Sequence, residues 1–197
     1  EFDAAVARLA EARDCPGPTV FAPGEISLPD RSEYRMAFTS EGRTGLFHVD
    51  GPGEPPSQTV WIARLSRGSW TAEVAPFSGT FRDSDPFVAP DDEAVWFSSN
   101  RPVDGAAARL DTDLWVVRRA RDGWGEPEHA GPVVNTDHDE LYPSVTADGT
   151  LYWATDAERG LGGWDIYRAE RVGDGYGPPQ NVGPAINTAL WEFNPWV

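Results

Sequence analysis

"GGWDIYRAERVGDGYGPPQNVGPAIN" (residues 162–187) repeats the pattern of an earlier stretch, "DTDLWVVRRARDGWGEPEHAGPVVN" (residues 111–135). The spacing between matching residues is constant. Trp124 and Tyr176 are 52 residues apart, and so are Asn135 and Asn187. A period of this size is typical of propellers and solenoids, in which one supersecondary unit recurs along the chain.

The repeated unit has the composition of β-strands. "AVWFSSN" (residues 94–100) and "LYWATD" (residues 151–156) are short and rich in aromatic and β-branched residues. Asp-Gly pairs lie between such runs, in "RDGW" (residues 121–124) and "ADGT" (residues 147–150). Asp-Gly between apolar runs is a strong hairpin signal. We therefore predict an all-β fold, a β-propeller built from four-stranded antiparallel blades.

The repeat also predicts the organisation of the chain. An N-terminal tether with a short helix is expected, because Phe2, Val6 and Leu9 have helical spacing. Three blades are recognisable, together with part of a fourth. The predicted bounds are 1–18 for the tether, 19–28 for a strand that closes the ring, 35–82, 83–136 and 137–188 for the blades, and 189–197 for the start of a further blade.

Two longer segments resemble a known family. "SDPFVAPDDEAVWFSSNRP" (residues 84–102) and "DELYPSVTADGTLYWATDAERGLGGWDIYRAER" (residues 139–171) are similar to the WD40-like, Pro-Asp-motif repeats of TolB-type β-propellers. The resemblance implies a propeller but no single activity, because that fold hosts both binding proteins and enzymes. We expect a ring of about five or six blades, completed by more chain after Val197 or by a second chain.

The charge of the chain restricts its partners. The formal net charge is −16 at pH 7, which disfavours nucleic acid and anionic lipid and favours basic proteins or cations. Cys15 is the only cysteine, so no disulfide forms within the chain. No apolar run is long enough for a membrane helix. As a separate expectation, we place the protein in the periplasm or outside the cell.

Acidic residues recur at one position of the repeat. Asp83, Glu140 and Glu192 each precede the proline of a predicted first strand by three residues. If first strands are innermost, these carboxylates could converge at the channel mouth and hold a metal ion such as calcium. The alternative is that each acid caps the turn made by a nearby Asn-Thr pair. No other cofactor is expected.

Three further residues are candidates for a binding surface: Trp164, beside a glycine-rich loop, and the loop residues His138 and Asp139. The other tryptophans mostly recur at equivalent positions, which indicates packing between blades. The sequence has no nucleophile elbow and no phosphate-binding loop.

These patterns favour a non-catalytic binding or scaffolding module that engages a protein partner. The chain could also be an accessory subunit of a larger assembly, which would explain the incomplete fourth unit. The alternative is a propeller polysaccharide lyase or glycosidase with a cation site at the channel mouth.

Overall fold

The computed structural model describes residues 18–51, 58–103, 105, 107–157 and 160–197. The predicted helix at residues 2–14 and Cys15 lie outside these ranges. Across the described ranges the chain forms strands, turns and bends without any helix, which confirms the all-β class. The same ranges contain no helix of the length and apolar character needed to cross a membrane.

The first sheet contains four antiparallel strands in chain order. Its third and fourth strands are joined by Arg67 and Gly68, both with positive φ (54° and 89°), as expected for a tight two-residue hairpin turn. The strands are β1 (Ser32–Phe38), β2 (Thr44–Asp50), β3 (Gln58–Ser66) and β4 (Ser69–Val74).

The second sheet repeats this antiparallel order, with two short strands pairing with its third strand. Its first two strands are buried along their whole length. The strands are β5 (Asp83–Val88), β6 (Ala94–Ser99), β7 (Asp113–Ala120), β8 (Gly123–Trp124) and β9 (Glu128–His129).

The third sheet has the same order again, and a short two-stranded ribbon lies between its third and last strands in sequence. None of these sheets closes on itself. The strands are β10 (Glu140–Val145), β11 (Leu151–Thr155), β12 (Asp165–Ala169) and β15 (Gln180–Asn181), with the ribbon formed by β13 (Arg171–Val172) and β14 (Gly175–Tyr176).

The turn between the first and second strands needs a left-handed residue in every sheet. Gly42, Asp92 and Gly149 occupy this position with φ of 64°, 61° and 87°. Aspartate tolerates this conformation better than most side chains. This explains why the Asp-Gly pair can be replaced by Asp-Asp at residues 91–92.

Apolar side chains fill the spaces between consecutive sheets. One cluster joins the first and second sheets through residues such as Leu46 and Phe97, and another joins the second and third through Leu114 and Trp153. These four side chains are at most 1% exposed. Burying a side chain of this size stabilises the fold by about 1.5–3 kcal/mol, so the interfaces between the sheets form the core.

The two end segments contain little regular strand pairing. Residues 19–28, expected to form a closing strand, contain bends, a turn at residues 24–26 and an isolated bridge between Pro23 and Ser27. They pack on the first sheet, where Ile26 is 2% exposed. The Glu25 carboxylate accepts a hydrogen bond from the backbone N–H of Trp70. Residues 189–197 form a single isolated bridge, between Trp191 and Trp164.

Candidate functional site

The first strand of every sheet is interrupted at the same place. The register shifts within β1, β5 and β10, as in a β-bulge. A non-glycine residue with positive φ lies at each shift: Arg35 (46°), Asp85 (53°) and Tyr142 (57°). Asn194, with φ of 64°, occupies the matching position in the C-terminal segment. Such conformations are costly and are concentrated at functional sites, so this position is a candidate site.

These four residues line one cavity of about 560 Å³. Arg35 contacts residues of several segments around this cavity. Its Nη1 donates a hydrogen bond to Asn194 Oδ1 at 2.7 Å, and its Nη2 donates to the carbonyl oxygen of Pro143 at 2.9 Å. The guanidinium carbon lies 5.6 Å from the ring centroid of Tyr142. The cavity is therefore held together by contacts between residues that are far apart in sequence.

His48 and Asp85 connect the first and second sheets beside the cavity. The backbone N–H of Asp85 donates a hydrogen bond to His48 Nδ1 at 3.2 Å. His48 Nδ1 is therefore unprotonated, which places the proton of the neutral ring on Nε2, 4.0 Å from Asp50 Oδ1. The imidazole stacks on Tyr34 at 5.1 Å.

Burial dominates the electrostatics of this group. It lowers the pKa of His48 below its ordinary value, although Asp85 and Asp50 act in the opposite direction. Burial likewise raises the pKa of the Asp85 carboxyl, and His48 and Arg35 partly oppose it. His48 is consequently neutral at pH 7. A buried, polar, charge-perturbed cluster in a cavity is a typical feature of binding and catalytic sites.

Two residues that line the cavity each carry a polar atom without a partner. Arg35 Nε, a donor, and Asp50 Oδ1, an acceptor, are buried and form no hydrogen bond with any residue that the structure describes. Buried polar groups are nearly always hydrogen-bonded, and an exception calls for a partner such as a ligand or water. A ligand that offers both an acceptor and a donor would satisfy both atoms.

The structure does not bring the three predicted metal ligands together. Among the described residues, no three His, Cys, Asp or Glu side chains are placed to share an ion. The Glu140 carboxylate accepts hydrogen bonds from the backbone N–H and the hydroxyl of Thr136, at 3.0 and 2.7 Å. Glu192 accepts the same pair of bonds from Thr188, at 2.7 and 2.6 Å. These contacts correspond to the turn-capping alternative.

Asp83 has a different environment. Its carboxylate accepts hydrogen bonds from Ser78 Oγ at 2.7 Å, from Ser99 Oγ at 2.6 Å and from Arg101 Nη2 at 2.7 Å. All of these partners belong to the protein, and Arg101 supplies the positive charge that a metal would otherwise provide.

Two of the predicted surface residues, His138 and Asp139, are neighbours that both contact Asp156 Oδ1, but they line different cavities. Asp139 lines the cavity, and its Oδ1 accepts a hydrogen bond from the Thr112 N–H at 2.7 Å. His138 lines a different cavity, and its Nδ1 lies 3.6 Å from Asp156 Oδ1. Trp164 is half-buried, and its carbonyl oxygen accepts a hydrogen bond from the Glu192 N–H at 2.8 Å.

Sequence reasoning identified Asp139 in the lining of the cavity but missed the strained residues at its wall. Arg35, Asp85, Tyr142 and Asn194 each follow an acidic residue of the repeat by two positions. Four different side chains at one repeat position were the available signal, because a purely structural position tends to keep one residue type. His48 carried no spacing signal at all.

Comparison with known proteins supports the fold class only. No family model matches the chain, and no curated protein sequence does. The solved structures similar to it include a puromycin-hydrolysing peptidase of Mycobacterium tuberculosis and an α-L-arabinofuranosidase from Lactobacillus brevis. The peptidase match has a TM-score of 0.51 and 16% sequence identity, and covers 86% of this chain and 26% of the peptidase.

The arabinofuranosidase match also has a TM-score of 0.51, with 12% identity, and covers 80% of this chain and 55% of that enzyme. The chain thus spans about a quarter of the first protein and about half of the second. At these identities the likeness shows that the all-β arrangement is shared, and it assigns no activity to this chain.

Proposed function

We propose that the three sheets are blades of a β-propeller and that this propeller is a non-catalytic binding module for a protein partner. The propeller is supported by the 52-residue repeat, by the equal strand order of the sheets and by their first strands, which line one cavity. The TolB-type resemblance of the sequence favours the same arrangement.

The observation that carries the binding role is the pair of unpartnered atoms on two residues that line the cavity. Arg35 Nε needs an acceptor and Asp50 Oδ1 needs a donor, and both atoms are buried. A peptide segment offers a carbonyl oxygen and an N–H group in every residue, so it satisfies both needs at once. The strained residues Arg35, Asp85 and Tyr142 would form the recognition surface.

The charge of the chain favours a basic partner. With a net charge of −16, the protein attracts positively charged proteins over long distances and repels acidic ones. In this proposal the chain is an accessory subunit of a larger assembly in the periplasm or outside the cell, and the basic partner is another subunit of that assembly. Attraction of this kind weakens as salt screens the charges.

A capture experiment with matched variants tests this proposal. The immobilised chain is expected to retain a stoichiometric partner from native extract, and Arg35→Ala and Asp50→Ala should lose it. Arg64→Ala should retain it, because Arg64 is half-exposed and pairs with Glu73 outside the cavity. Equal capture by all variants, or no stoichiometric partner for the wild type, would contradict the proposal.

One observation favours a second candidate, a glycosidase or polysaccharide lyase. Asp85 is 4% exposed, lies in the cavity wall beside His48 and has a raised pKa, which are features of a general acid. Oligosaccharide depolymerisation that Asp85→Asn abolishes would establish this activity and displace the non-catalytic role.

A further inference from the structure

Every sheet carries an aromatic pair next to an acidic residue. The two rings are direct neighbours across the second and third strands, and the acid lies on the first strand. We call the space beside each such set the aromatic slot. The sets are Phe47, Trp61 and Glu33 in the first sheet, Phe97, Trp115 and Asp83 in the second, and Trp153, Tyr167 and Glu140 in the third.

In the second sheet an arginine fills the slot. The guanidinium carbon of Arg101 lies 4.8 Å from the ring centroid of Phe97 and 5.4 Å from that of Trp115. Its Nη2 donates to Asp83 Oδ1 at 2.7 Å, and its Nε donates to Ser99 Oγ at 2.8 Å. The slot therefore provides stacking surfaces, a carboxylate and a hydroxyl for one guanidinium group.

In the first sheet another arginine fills the equivalent slot from a different place in the chain. Arg31 precedes β1, whereas Arg101 follows β6. The Arg31 guanidinium carbon lies 4.6 Å from the Trp61 centroid and 5.8 Å from the Phe47 centroid. Its Nε donates to the Glu33 carboxylate at 2.7 Å. Since the two arginines are not repeat-equivalent, the chemistry of the slot selects the guanidinium.

The third sheet keeps the slot but has no arginine at either place. Ala157 occupies the position of Arg101, and His138 that of Arg31. The space is a cavity of about 380 Å³ bordered by Trp153, Tyr167 and Glu140. No arginine is found among the described residues that line it.

The acid of this slot retains capacity for a cation. Glu140 is fully buried, and its carboxylate accepts hydrogen bonds from Thr136 N, Thr136 Oγ1 and Thr155 Oγ1. A carboxylate can accept about four hydrogen bonds, so one site is left. Burial without a cation raises the pKa of Glu140 to about 7. A positive charge in the cavity would restore the ionised form.

We propose that the aromatic slot of the third sheet is a binding site for a guanidinium group, stacked on Trp153 and Tyr167 and paired with Glu140. The group would come from an arginine side chain of a basic partner, which the net charge of −16 favours. Arg159 of this chain, which lies outside the described residues, is the competing source that the test separates. The site goes beyond the proposed function, because it shares no lining residue with the cavity around Arg35.

The test uses ethylguanidinium as the probe and neutral ethylurea of the same shape as the control ligand, with binding to the full chain followed by tryptophan fluorescence and calorimetry. The wild type is expected to bind ethylguanidinium and not ethylurea. Glu140→Gln should weaken binding by about tenfold or more, because a charge-assisted hydrogen bond is lost. Asp156→Asn, at a half-exposed acid outside this cavity, should change it less than about twofold.

Two further variants distinguish a partner arginine from Arg159 as the source of the guanidinium group and control for misfolding. Binding by the wild type supports a partner arginine, and binding only after Arg159→Ala supports Arg159 as the resident group. Ala157→Arg should abolish probe binding and raise the melting temperature, because it recreates the arrangement of Arg101. The proposal is overturned if neither the wild type nor Arg159→Ala prefers ethylguanidinium to ethylurea, or if Glu140→Gln binds it equally well. Neither result depends on partner capture at the Arg35 cavity.

Discussion

Arg101 Nη2 and Asp83 Oδ1 lie 2.7 Å apart, and the Asp83 side chain is fully buried. Removing one partner of a buried ion pair leaves an uncompensated charge, which costs about 3–5 kcal/mol. We expect Arg101→Ala to lower the free energy of unfolding by that amount in urea denaturation. Arg64→Ala removes the exposed pair with Glu73 and should cost at most about 1 kcal/mol. Equal losses in the two variants would show that the slot does not depend on its cation.

Glu140 should make stability fall as the pH rises. Burial raises its pKa from the ordinary 4.5 to about 7, so the folded protein binds this proton more tightly than the unfolded chain. The contribution is complete below about pH 4.5 and is lost as the pH rises to about 7, with a size of about 3 kcal/mol. Urea denaturation of the wild type and Glu140→Gln across this range should show the loss in the wild type alone. Parallel pH profiles for both proteins would refute the assignment.

His48 should contribute pH dependence of the opposite sign. Its pKa is lowered by burial, so the unfolded chain takes up the proton first when the pH falls below about 6.5. His48→Phe retains a ring against Tyr34 but removes the acceptor of the Asp85 N–H, and we expect a loss of about 1–3 kcal/mol at pH 7.5. Because Glu140 contributes equally to both proteins, the test is the difference between them: lowering the pH from about 7.5 to about 5.5 should favour the fold of the variant more than that of the wild type, as measured by thermal unfolding. The same change in both proteins would mean that His48 does not contribute.

The turn after β10 gives a test of backbone strain. Gly149 has φ of +87°, and a Cβ there would lie 3.3 Å from the Cβ of Arg171. Gly149→Ala should therefore cost about 1–2 kcal/mol. Gly175, which has open space and no positive φ, is the matched control, and Gly175→Ala should be close to neutral. Chemical denaturation of both variants measures their free energies of unfolding. An unchanged value for Gly149→Ala would show that this turn is not strained.

The strands were predictable because their signals are local. The turns at Asp92 and Gly149 could be located from Asp-containing pairs between aromatic runs, and the constant 52-residue spacing predicted equivalent strands in the second and third sheets. Residues 19–28 resembled the last strand of the repeat, but a pairing partner cannot be deduced from local pattern. In the structure Ile26 of this segment is buried against the first sheet.

The candidate site was less predictable, because it depends on backbone conformation and on contacts between distant residues. Nothing in the residue types predicts positive φ at Arg35 or Tyr142, since side chains other than glycine seldom adopt it. The acids were recognised as a repeat, but their hydrogen bonds to Thr136 and Thr188 were only one of two alternatives. The shared role of the two slot arginines could not be predicted from the repeat, because Arg31 and Arg101 occupy different positions in it.

A crystal structure of the chain would test the shared cavity on which the binding proposal rests. We expect the three sheets to be arranged around a common axis, with Arg35, Asp85 and Tyr142 at positive φ in the wall of one cavity and the aromatic slot of the third sheet beside Glu140. Sheets stacked as a sandwich, with β1, β5 and β10 facing separate surfaces, would contradict both the propeller and the binding site.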